Sequence, residues 1–316
     1  MPPRGSPVRR RSRRARRAAR PRCGRGRAPG SRRAPYPGRR SRRRGRPRCP
    51  PRDGITPSAA GDGPPRPWHA ACVQPVASVL YADERVVALA KPAGVSLATR
   101  RAEPGAAVAR LLAALPDAER DANALDAGLR LVHRLDVGTS GVVLLARDED
   151  AHRELVRAFA ARRVGKAYLA LVWGRPRPAE GCWTSPLGPD RSDRRRMRVD
   201  AAGRAAATGY LVAGRGPGVA LVRLEPATGR THQIRVHLAH AGHPVVGDDL
   251  YGGPRHRGVR DPALRRLLDP GHTLLHAWRV HLPATAAGPE LIVTAPLPAD
   301  FAAALAALGL APPPEP

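Results

Sequence analysis

One stretch, Leu131 to Gly141, constrains the fold of this chain more than any other part of the sequence. It ends in a small polar turn closed by glycine, and the apolar run Val142 to Ala146 follows directly. A short apolar run after such a turn predicts a buried β-strand. Asp136, within the turn, is therefore expected at the mouth of a rigid sheet rather than on a free loop.

The rest of the sequence between 78 and 308 alternates predicted strands with a few helices, which indicates an α+β domain with a mixed sheet. Strands are predicted at 79–81, 86–90, 166–173, 209–213, 219–225, 273–282 and 291–295. Helices are predicted at 107–115, 149–162, 231–241 and 300–308, with Asp148 as an N-cap and Gly242 as a C-terminal stop. Residues 116–129 are expected to form a polar loop, and residues 187–206 an exposed basic loop or ribbon.

The positive charge of the chain is concentrated at its beginning. Residues 1 to 67 contain 23 Arg, no Lys and 2 Asp, which is +21 of the net +29 and leaves +8 for the other 249 residues. This Arg- and Pro-rich segment lacks the apolar residues needed for a core. The expected organisation is a disordered tail at 1–72, a catalytic domain at 73–310 and a disordered end at 311–316. A start codon placed too far upstream would also produce such a tail.

Several classes of protein are disfavoured by what the sequence lacks. No apolar run is long enough to cross a bilayer or to form the core of a signal peptide, so a cytoplasmic location is expected. The four cysteines form no Cys-x-x-Cys pair, which argues against a zinc knuckle. His232 and His237 are five residues apart rather than the four that would place both on one helical face, so no metal site is predicted.

Asp136 is the strongest candidate for chemistry. A lone carboxylate at the mouth of a sheet, with arginines nearby to keep it ionised, is a credible nucleophile or base. The alternative is an aspartate that caps its own turn, which is the more common role of an Asp near Gly. The residues around Asp136 alone leave both interpretations open.

Five segments, in chain order, together resemble a known family. They are Lys91-Pro92-Ala93-Gly94, His133 to Gly141, Lys166-Ala167-Tyr168, Gly229 to His237 (GRTHQIRVH), and Gly242-His243-Pro244 followed by Gly247-Asp248; Leu275-His276-Ala277 also matches. This ordered set resembles the RluA-like pseudouridine synthases over about residues 78 to 300. The resemblance implies the pseudouridine synthase fold, with a mixed, mostly antiparallel sheet, flanking helices and a central RNA-binding cleft.

The resemblance also implies an activity and three catalytic residues. The family isomerises uridine within RNA to pseudouridine, a reaction that needs neither a metal nor an organic cofactor. Asp136 is the implied catalytic aspartate, acting either as a nucleophile or as a base. Arg235 is its implied cationic partner, because an Arg fork can hold a carboxylate at two points. Tyr168 matches the active-site tyrosine, which can stack on an extruded base or orient a proton.

Further basic residues are expected to contact RNA. Arg134 is expected to fill the space left by a flipped uridine or to hold its phosphate, and the other predicted contacts are Lys91, Arg230, Arg191, Arg194 and Arg195. For Lys91, packing within the fold is an equal alternative. The chain resembles the branch without an N-terminal RNA-binding module, which predicts structured rRNA or tRNA as the partner. A monomer without an obligate protein partner is expected. The competing interpretation is a non-catalytic RNA-binding or RNA-chaperone protein on the same fold.

Overall fold

A computed structural model describes residues 76–98, 103, 105–126, 128–284 and 289–314. The tail predicted at 1–72 lies outside these residues, so its predicted disorder stays a prediction. In the described part of the chain, no helix is both long and apolar enough to span a membrane.

A ten-stranded sheet forms the centre of the fold. Its strands are β1 (Ser78–Ala82), β2 (Val86–Lys91), β3 (Arg130–Leu131), β4 (Ser140–Ala146), β5 (Gly165–Trp173), β6 (Glu180–Trp183), β9 (Thr208–Gly216), β10 (Val219–Pro226), β11 (Leu275–Leu282) and β12 (Leu291–Thr294). The main path through the sheet runs β1-β2-β4-β11-β5-β10-β9-β6, while β3 pairs with β4 and β12 with β11. A separate two-stranded ribbon consists of β7 (Leu187–Pro189) and β8 (Met197–Val199).

The sheet is mixed but mostly antiparallel, which confirms the predicted fold class. Among the described strand pairs only β4 and β11 run parallel, in a register that places Gly141 opposite Ala277. Gly141 has φ +115, and a Cβ there would lie 2.2 Å from the Ala277 carbonyl oxygen. The glycine that closes the Asp136 turn is therefore required for this strand to enter the sheet beside β11.

The described residues contain six α-helices and one short 3-10 helix (Arg255–Gly258). The α-helices are α1 (Ala106–Ala113), α2 (Asp117–Ala122), α3 (Glu149–Ala160), α4 (Gln233–His240), α5 (Pro262–Leu267) and α6 (Ala299–Ala307). The predicted alternation along β5 is observed, because Tyr168, Ala170 and Val172 pack on the side of α4. Leu169 and Leu171 point to the opposite side and pack with α5 and α6.

Two local predictions differ from the structure. The segment 116–129 was expected to be a polar loop but contains α2, a short exposed helix with none of its residues buried. Its two acidic residues in the first turn favour a helix start, and only six residues form it, too few for an apolar periodicity to be visible. The helix expected from residue 231 begins instead at Gln233, because His232 adopts a left-handed conformation.

Candidate active site

The loop between β3 and β4 presents Asp136 from a fixed backbone. The preceding residue, Leu135, is buried in a hydrophobic cluster beneath the sheet. The carbonyl of the next residue, Val137, accepts hydrogen bonds from the Gly94 amide at 2.8 Å and from Lys91 Nζ at 3.3 Å. Because the backbone is held on both sides, the half-buried carboxylate has a defined position, as a catalytic group requires.

Lys91, at the end of β2, has a structural position rather than a surface one. The residue is 1% exposed, and Nζ also donates to the carbonyls of Pro92 at 2.8 Å and Val95 at 2.9 Å. Burial lowers the pKa of Lys91 to about 7, although Asp136 acts in the opposite direction. Of the two roles predicted for Lys91, the structure favours packing within the protein over contact with an RNA phosphate, because all three donors are used inside the protein and the ammonium has almost no exposed surface.

Arg235, in the first turn of α4, bridges two carboxylates. Nε and Nη2 donate to Oδ2 and Oδ1 of Asp248 at 2.7 and 2.9 Å, while Nη1 donates to Oδ2 of Asp136 at 3.3 Å. Arg235 therefore makes its two-point pairing with the buried Asp248, whereas the sequence predicted this pairing with Asp136. Oδ1 of Asp136 receives no hydrogen bond from any described residue, so this oxygen is open to a substrate.

His232 lies on the other side of Asp136. Its φ of +54 and ψ of 19 are left-handed, a conformation that costs a non-glycine residue about 1–2 kcal/mol. Nδ1 lies 2.8 Å from the hydroxyl of Tyr251, which also accepts a 2.8 Å hydrogen bond from the Met197 amide. Nε2 points toward Oδ2 of Asp136 at 3.9 Å. The same Tyr251 ring lies 5.0 Å from the Arg235 guanidinium, so one tyrosine supports both neighbours of Asp136.

Tyr168 projects from β5 into the same pocket as Asp136. Burial, reinforced by the nearby Asp136, raises the pKa of Tyr168 above its usual range, so the phenol is protonated at neutral pH. The residue packs between two hydrophobic clusters of the sheet, which fixes the ring. A fixed aromatic face and a neutral hydroxyl beside a carboxylate are suited to stacking on a base and to donating a hydrogen bond.

These side chains line one open pocket of about 600 Å3 between the end of α3, the Asp136 loop, β5 and the turn before α4. Five of the nine predicted site residues reach it, namely Arg134, Asp136, Tyr168, Arg230 and Arg235. Arg162 and Lys166 add positive charge to its wall. The volume falls in the range of small-ligand sites, and the basic rim suits a polyanion.

The remaining three predicted RNA contacts lie on the turn between β7 and β8. Arg191, Arg194 and Arg195 are all exposed there. Arg195 makes a two-point ion pair with Asp193, at 3.1 Å from Nε and 2.8 Å from Nη2. The ribbon is connected to the pocket through the hydrogen bond from the Met197 amide to Tyr251, which in turn contacts His232 and Arg235 beside Asp136.

A buried polar network supports the turn that precedes α4. The Oε1 of Gln233 accepts from Thr228 Oγ1 at 2.6 Å and from the Arg230 amide at 3.0 Å. Its Nε2 donates to the Ala207 carbonyl and to Thr208 Oγ1, each at 2.9 Å. All four hydrogen-bonding positions of the Gln233 amide are used, which fixes the turn and therefore the direction in which His232 and Arg235 point.

Sequence reasoning missed four residues of this site. Asp248 was visible within the Gly247-Asp248 segment of the family resemblance, but nothing in the sequence shows that it faces Arg235. The contact between Tyr251 and His232 could not be predicted, because it depends on the left-handed conformation of His232 and on a loop that is distant in the sequence. Thr139 has a buried Oγ1 that lacks a hydrogen-bond partner among the described residues and lines the pocket. Within those same residues, no three His, Cys, Asp or Glu side chains are grouped to hold a metal ion.

Comparison with known proteins identifies the family. Residues 85–240 match the family described as RNA pseudouridylate synthase. The chain is 37% identical over 232 residues to the dual-specificity RNA pseudouridine synthase RluA of Escherichia coli O6:H1, covering 72% of this chain and 95% of that protein. The chain belongs to the RluA-like family of RNA pseudouridine synthases. Members of this family are isomerases that act on RNA, and the predicted family is confirmed.

Other relatives extend the same assignment. An uncharacterized RNA pseudouridine synthase of Chloroflexus aurantiacus is 42% identical over 214 residues, which are 67% of this chain and 63% of that protein. The chain therefore spans less than two thirds of this relative. The structure of human RNA pseudouridylate synthase domain containing 4 superposes with a TM-score of 0.60 at 27% identity, covering 75% of this chain and 95% of that chain. The pseudouridine synthase fold is thereby confirmed.

Proposed function

We propose that this chain isomerises particular uridines in rRNA or tRNA to pseudouridine and that Asp136 is the catalytic carboxylate. The observation that carries the proposal is the open oxygen Oδ1 of Asp136, beside the 3.3 Å hydrogen bond that Arg235 makes to Oδ2. The cation balances the negative charge without occupying both oxygens. A carboxylate in this arrangement is available to act on a sugar bound in the pocket.

The reaction conserves every atom of the substrate. The bond between C1′ of the ribose and N1 of uracil breaks, the base rotates, and a new bond forms between C1′ and C5. The proton on C5 is lost and N1 gains one, so nothing is oxidised, reduced or hydrolysed. Asp136 can serve either by attacking C1′ or by removing a proton from C2′, and both roles require an ionised carboxylate next to the ribose.

The other pocket residues have complementary roles in this proposal. Tyr168 stacks on the uracil, and its protonated hydroxyl orients or relays a proton while the base is detached. A paired uridine must leave its stack to enter the pocket, at a cost of a few kcal/mol. Arg134 is exposed at the pocket rim, next to Asp136, where its long side chain can fill the vacated space or hold the flipped phosphate.

The basic turn between β7 and β8 provides phosphate contacts that place the RNA without reading its sequence. Arg191 and Arg194 are the contacts proposed here, while Arg195 must exchange Asp193 for a phosphate in order to bind. We further propose that the protein acts as a cytoplasmic monomer on structured RNA.

Pseudouridine mapping of total RNA tests this function and identifies the substrate. Carbodiimide-primed sequencing is applied to wild-type cells, to cells that lack the gene, and to deleted cells that express either the wild type or Asp136→Asn. The proposal predicts at least one site that is lost on deletion and restored by the wild type but not by the variant. Restoration by Asp136→Asn would contradict the assignment of the carboxylate, and loss of no site would favour a non-catalytic RNA-binding protein.

A further inference from the structure

We propose that His232 is a second catalytic residue, which donates a hydrogen bond from Nε2 to the O2 oxygen of the target uracil. The inference rests on the proposed function of Asp136. It assigns a role to a side chain whose ring lies within 3.9 Å of Asp136 and lines the same pocket. This hydrogen bond stabilises the negative charge that the uracil acquires as its bond to C1′ breaks.

The hydrogen bonds around Tyr251 favour the tautomer of His232 that carries its proton on Nε2. The Met197 amide donates to the Tyr251 hydroxyl oxygen at 2.8 Å. The hydroxyl hydrogen is free to be donated to the other partner, His232 Nδ1, 2.8 Å away, and the proposal assigns it there. A neutral imidazole whose Nδ1 accepts a hydrogen bond must carry its hydrogen on Nε2. The donor of the ring is therefore the nitrogen that faces Asp136.

That donor is not consumed inside the protein. The distance of 3.9 Å from Nε2 to Asp136 Oδ2 is too long for a hydrogen bond. Oδ2 is already engaged by Arg235, and Nε2 of His232 has no hydrogen-bond partner among the described residues. A donor held in this position therefore points into the pocket, 3.9 Å from the carboxylate that we place against the ribose.

The backbone of His232 supports a functional interpretation of this geometry. A left-handed conformation at φ +54 is unfavourable for histidine, and such residues persist where the surrounding structure imposes them, often at active sites. Here the imposed conformation turns the ring from the start of α4 toward Asp136. A regular helical residue would not place the imidazole between Tyr251 and the carboxylate.

A neutral donor suits the chemistry better than a cation would. The electrons of the C1′–N1 bond pass to the uracil, where N1 and O2 share the charge, while the ribose becomes electron-poor. An N–H aimed at O2 stabilises the developing anion without adding a positive charge beside the ribose. Burial lowers the pKa of His232, Arg235 and Arg134 act in the same direction, and Asp136 and Asp248 oppose them.

Two substitutions at this position separate the donor from the side chain's bulk. Asn tolerates the left-handed conformation, but its amide reaches only as far as Nδ1, so His232→Asn removes the donor. The longer amide of His232→Gln places an N–H where Nε2 lies. His240→Gln, at the exposed end of the same helix, serves as the matched control.

Single-turnover pseudouridine formation at saturating RNA and filter-binding affinity are measured for each variant. The proposal predicts a rate about 100-fold lower for His232→Asn, the size of effect seen on removing one transition-state donor. RNA affinity should stay at the wild-type level, and His232→Gln should recover most of the rate. An unchanged rate in His232→Asn, or a loss confined to RNA affinity, would overturn the inference.

A second variant keeps the test decisive if His232→Asn does not fold. Tyr251→Phe retains the ring near Arg235 but removes the hydroxyl that favours the tautomer, so the rate should fall while His232 stays in place.

The pH profile of the single-turnover rate adds an independent readout. A limb on which the wild-type rate falls as the pH rises, and which is absent in His232→Gln, would show that a protonated imidazolium acts as an acid, and would contradict a neutral donor.

Asp136→Asn, measured in the same assay, separates this inference from the proposed function. If Asp136→Asn retains the wild-type rate, the assignment of Asp136 as the catalytic carboxylate fails and the role of His232 falls with it. If Asp136→Asn is inactive while His232→Asn keeps the full rate, only the assignment of His232 fails.

Discussion

At the residue scale, the environment of Asp136 depends on how Arg235 divides its donors. The guanidinium gives two hydrogen bonds to the buried Asp248 and one to Asp136. The buried pair fixes the plane of the fork, and the single remaining bond fixes the carboxylate. Asp248 thus positions Asp136 through Arg235 without touching it.

This arrangement predicts a large effect of Arg235→Lys. An ammonium is a point charge and cannot hold Asp248 at two points and reach Asp136 as well. We expect the single-turnover rate to fall by at least about tenfold, equivalent to about 1.4 kcal/mol, while RNA affinity changes little because the charge remains. Arg153→Lys, in an exposed ion pair with Asp150 on α3, is the control. Equal losses in rate and in RNA affinity would contradict the positioning role.

The sequence predicted some of these residue contacts and not others. Asp136, Tyr168 and Arg235 were assigned to one site from the family motifs, and all three line one pocket. For Lys91 the sequence left an RNA phosphate and packing within the fold as equal alternatives, whereas in the structure three backbone carbonyls accept its hydrogen bonds. Acceptors of this kind come from the folded backbone, which a sequence motif does not display.

At the scale of elements, the parallel contact between β4 and β11 holds the Asp136 loop against the sheet. We therefore predict that the stability of the fold depends strongly on Gly141. Gly141→Ala forces a Cβ to 2.2 Å from the Ala277 carbonyl and also strains a residue at φ +115. We expect the free energy of unfolding to fall by about 3 kcal/mol or more, measured by urea denaturation.

Gly218→Ala is the matched control for this prediction. Gly218 also has a positive φ, +71, in the turn between β9 and β10, but an added Cβ would meet nothing within 4 Å. Its loss of stability should be confined to backbone strain, about 1–2 kcal/mol. If the two variants lose the same stability, the close approach of β4 and β11 does not require a glycine.

A second element contact joins the turn before β11 to α6. His272 Nε2 lies 2.6 Å from Asp300 Oδ2. Burial opposes protonation of His272, but the hydrogen bond and the charge of Asp300 raise the pKa of His272. Burial also opposes ionisation of Asp300, but His272 lowers the pKa of Asp300. The stabilisation is fully present below about pH 6.5, the ordinary pKa of histidine, and is lost as the pH rises through the raised value.

The wild type should therefore exceed Asp300→Asn in unfolding free energy most clearly at about pH 6, and the difference should narrow by about pH 9. Urea denaturation across this range measures the difference. His272→Gln supplies the control, because replacing Asp300 in that background should give a difference that does not vary with pH. A wild-type difference that stays constant over the range would contradict the predicted linkage.

Long and alternating elements were predictable, while short ones were not. The nine residues of β5 alternate clearly between two hydrophobic clusters, and Asp148 caps α3 through a 2.7 Å hydrogen bond from the Ala151 amide, as expected. In contrast, α2 and α5 have six residues each and bury none of them. Such helices lack the apolar periodicity by which a sequence indicates a helix.

At the scale of the whole molecule, the surface that we propose to bind RNA lies on one face of the sheet. The pocket and the turn between β7 and β8 carry exposed arginines on the side of α4, whereas α5 and α6 pack on the opposite face. RNA bound across the pocket should release counterions at each phosphate contact, so its affinity should fall as salt rises.

Replacing Arg191 and Arg194 by Ala should reduce this salt dependence. Affinity falls as salt rises, so the slope of log affinity against log salt is negative. Each lost phosphate contact is expected to make this slope less steep by about 0.7 to 0.9. Filter binding of a structured RNA at several salt concentrations measures the slope. Arg266→Ala, an exposed arginine of α5 on the opposite face, should leave it unchanged. If the variant that lacks Arg191 and Arg194 and the Arg266→Ala variant show the same salt dependence, the basic turn does not contact RNA.

The most direct test of Asp136 is single-turnover pseudouridine formation by purified Asp136→Asn on an RNA that the wild type modifies. The amide has nearly the shape of the carboxylate but cannot attack C1′ or remove a proton from C2′. We predict no detectable product, with RNA affinity and melting temperature close to those of the wild type and of the exposed control Asp249→Asn. Substantial pseudouridine formation by Asp136→Asn would show that another group performs the chemistry.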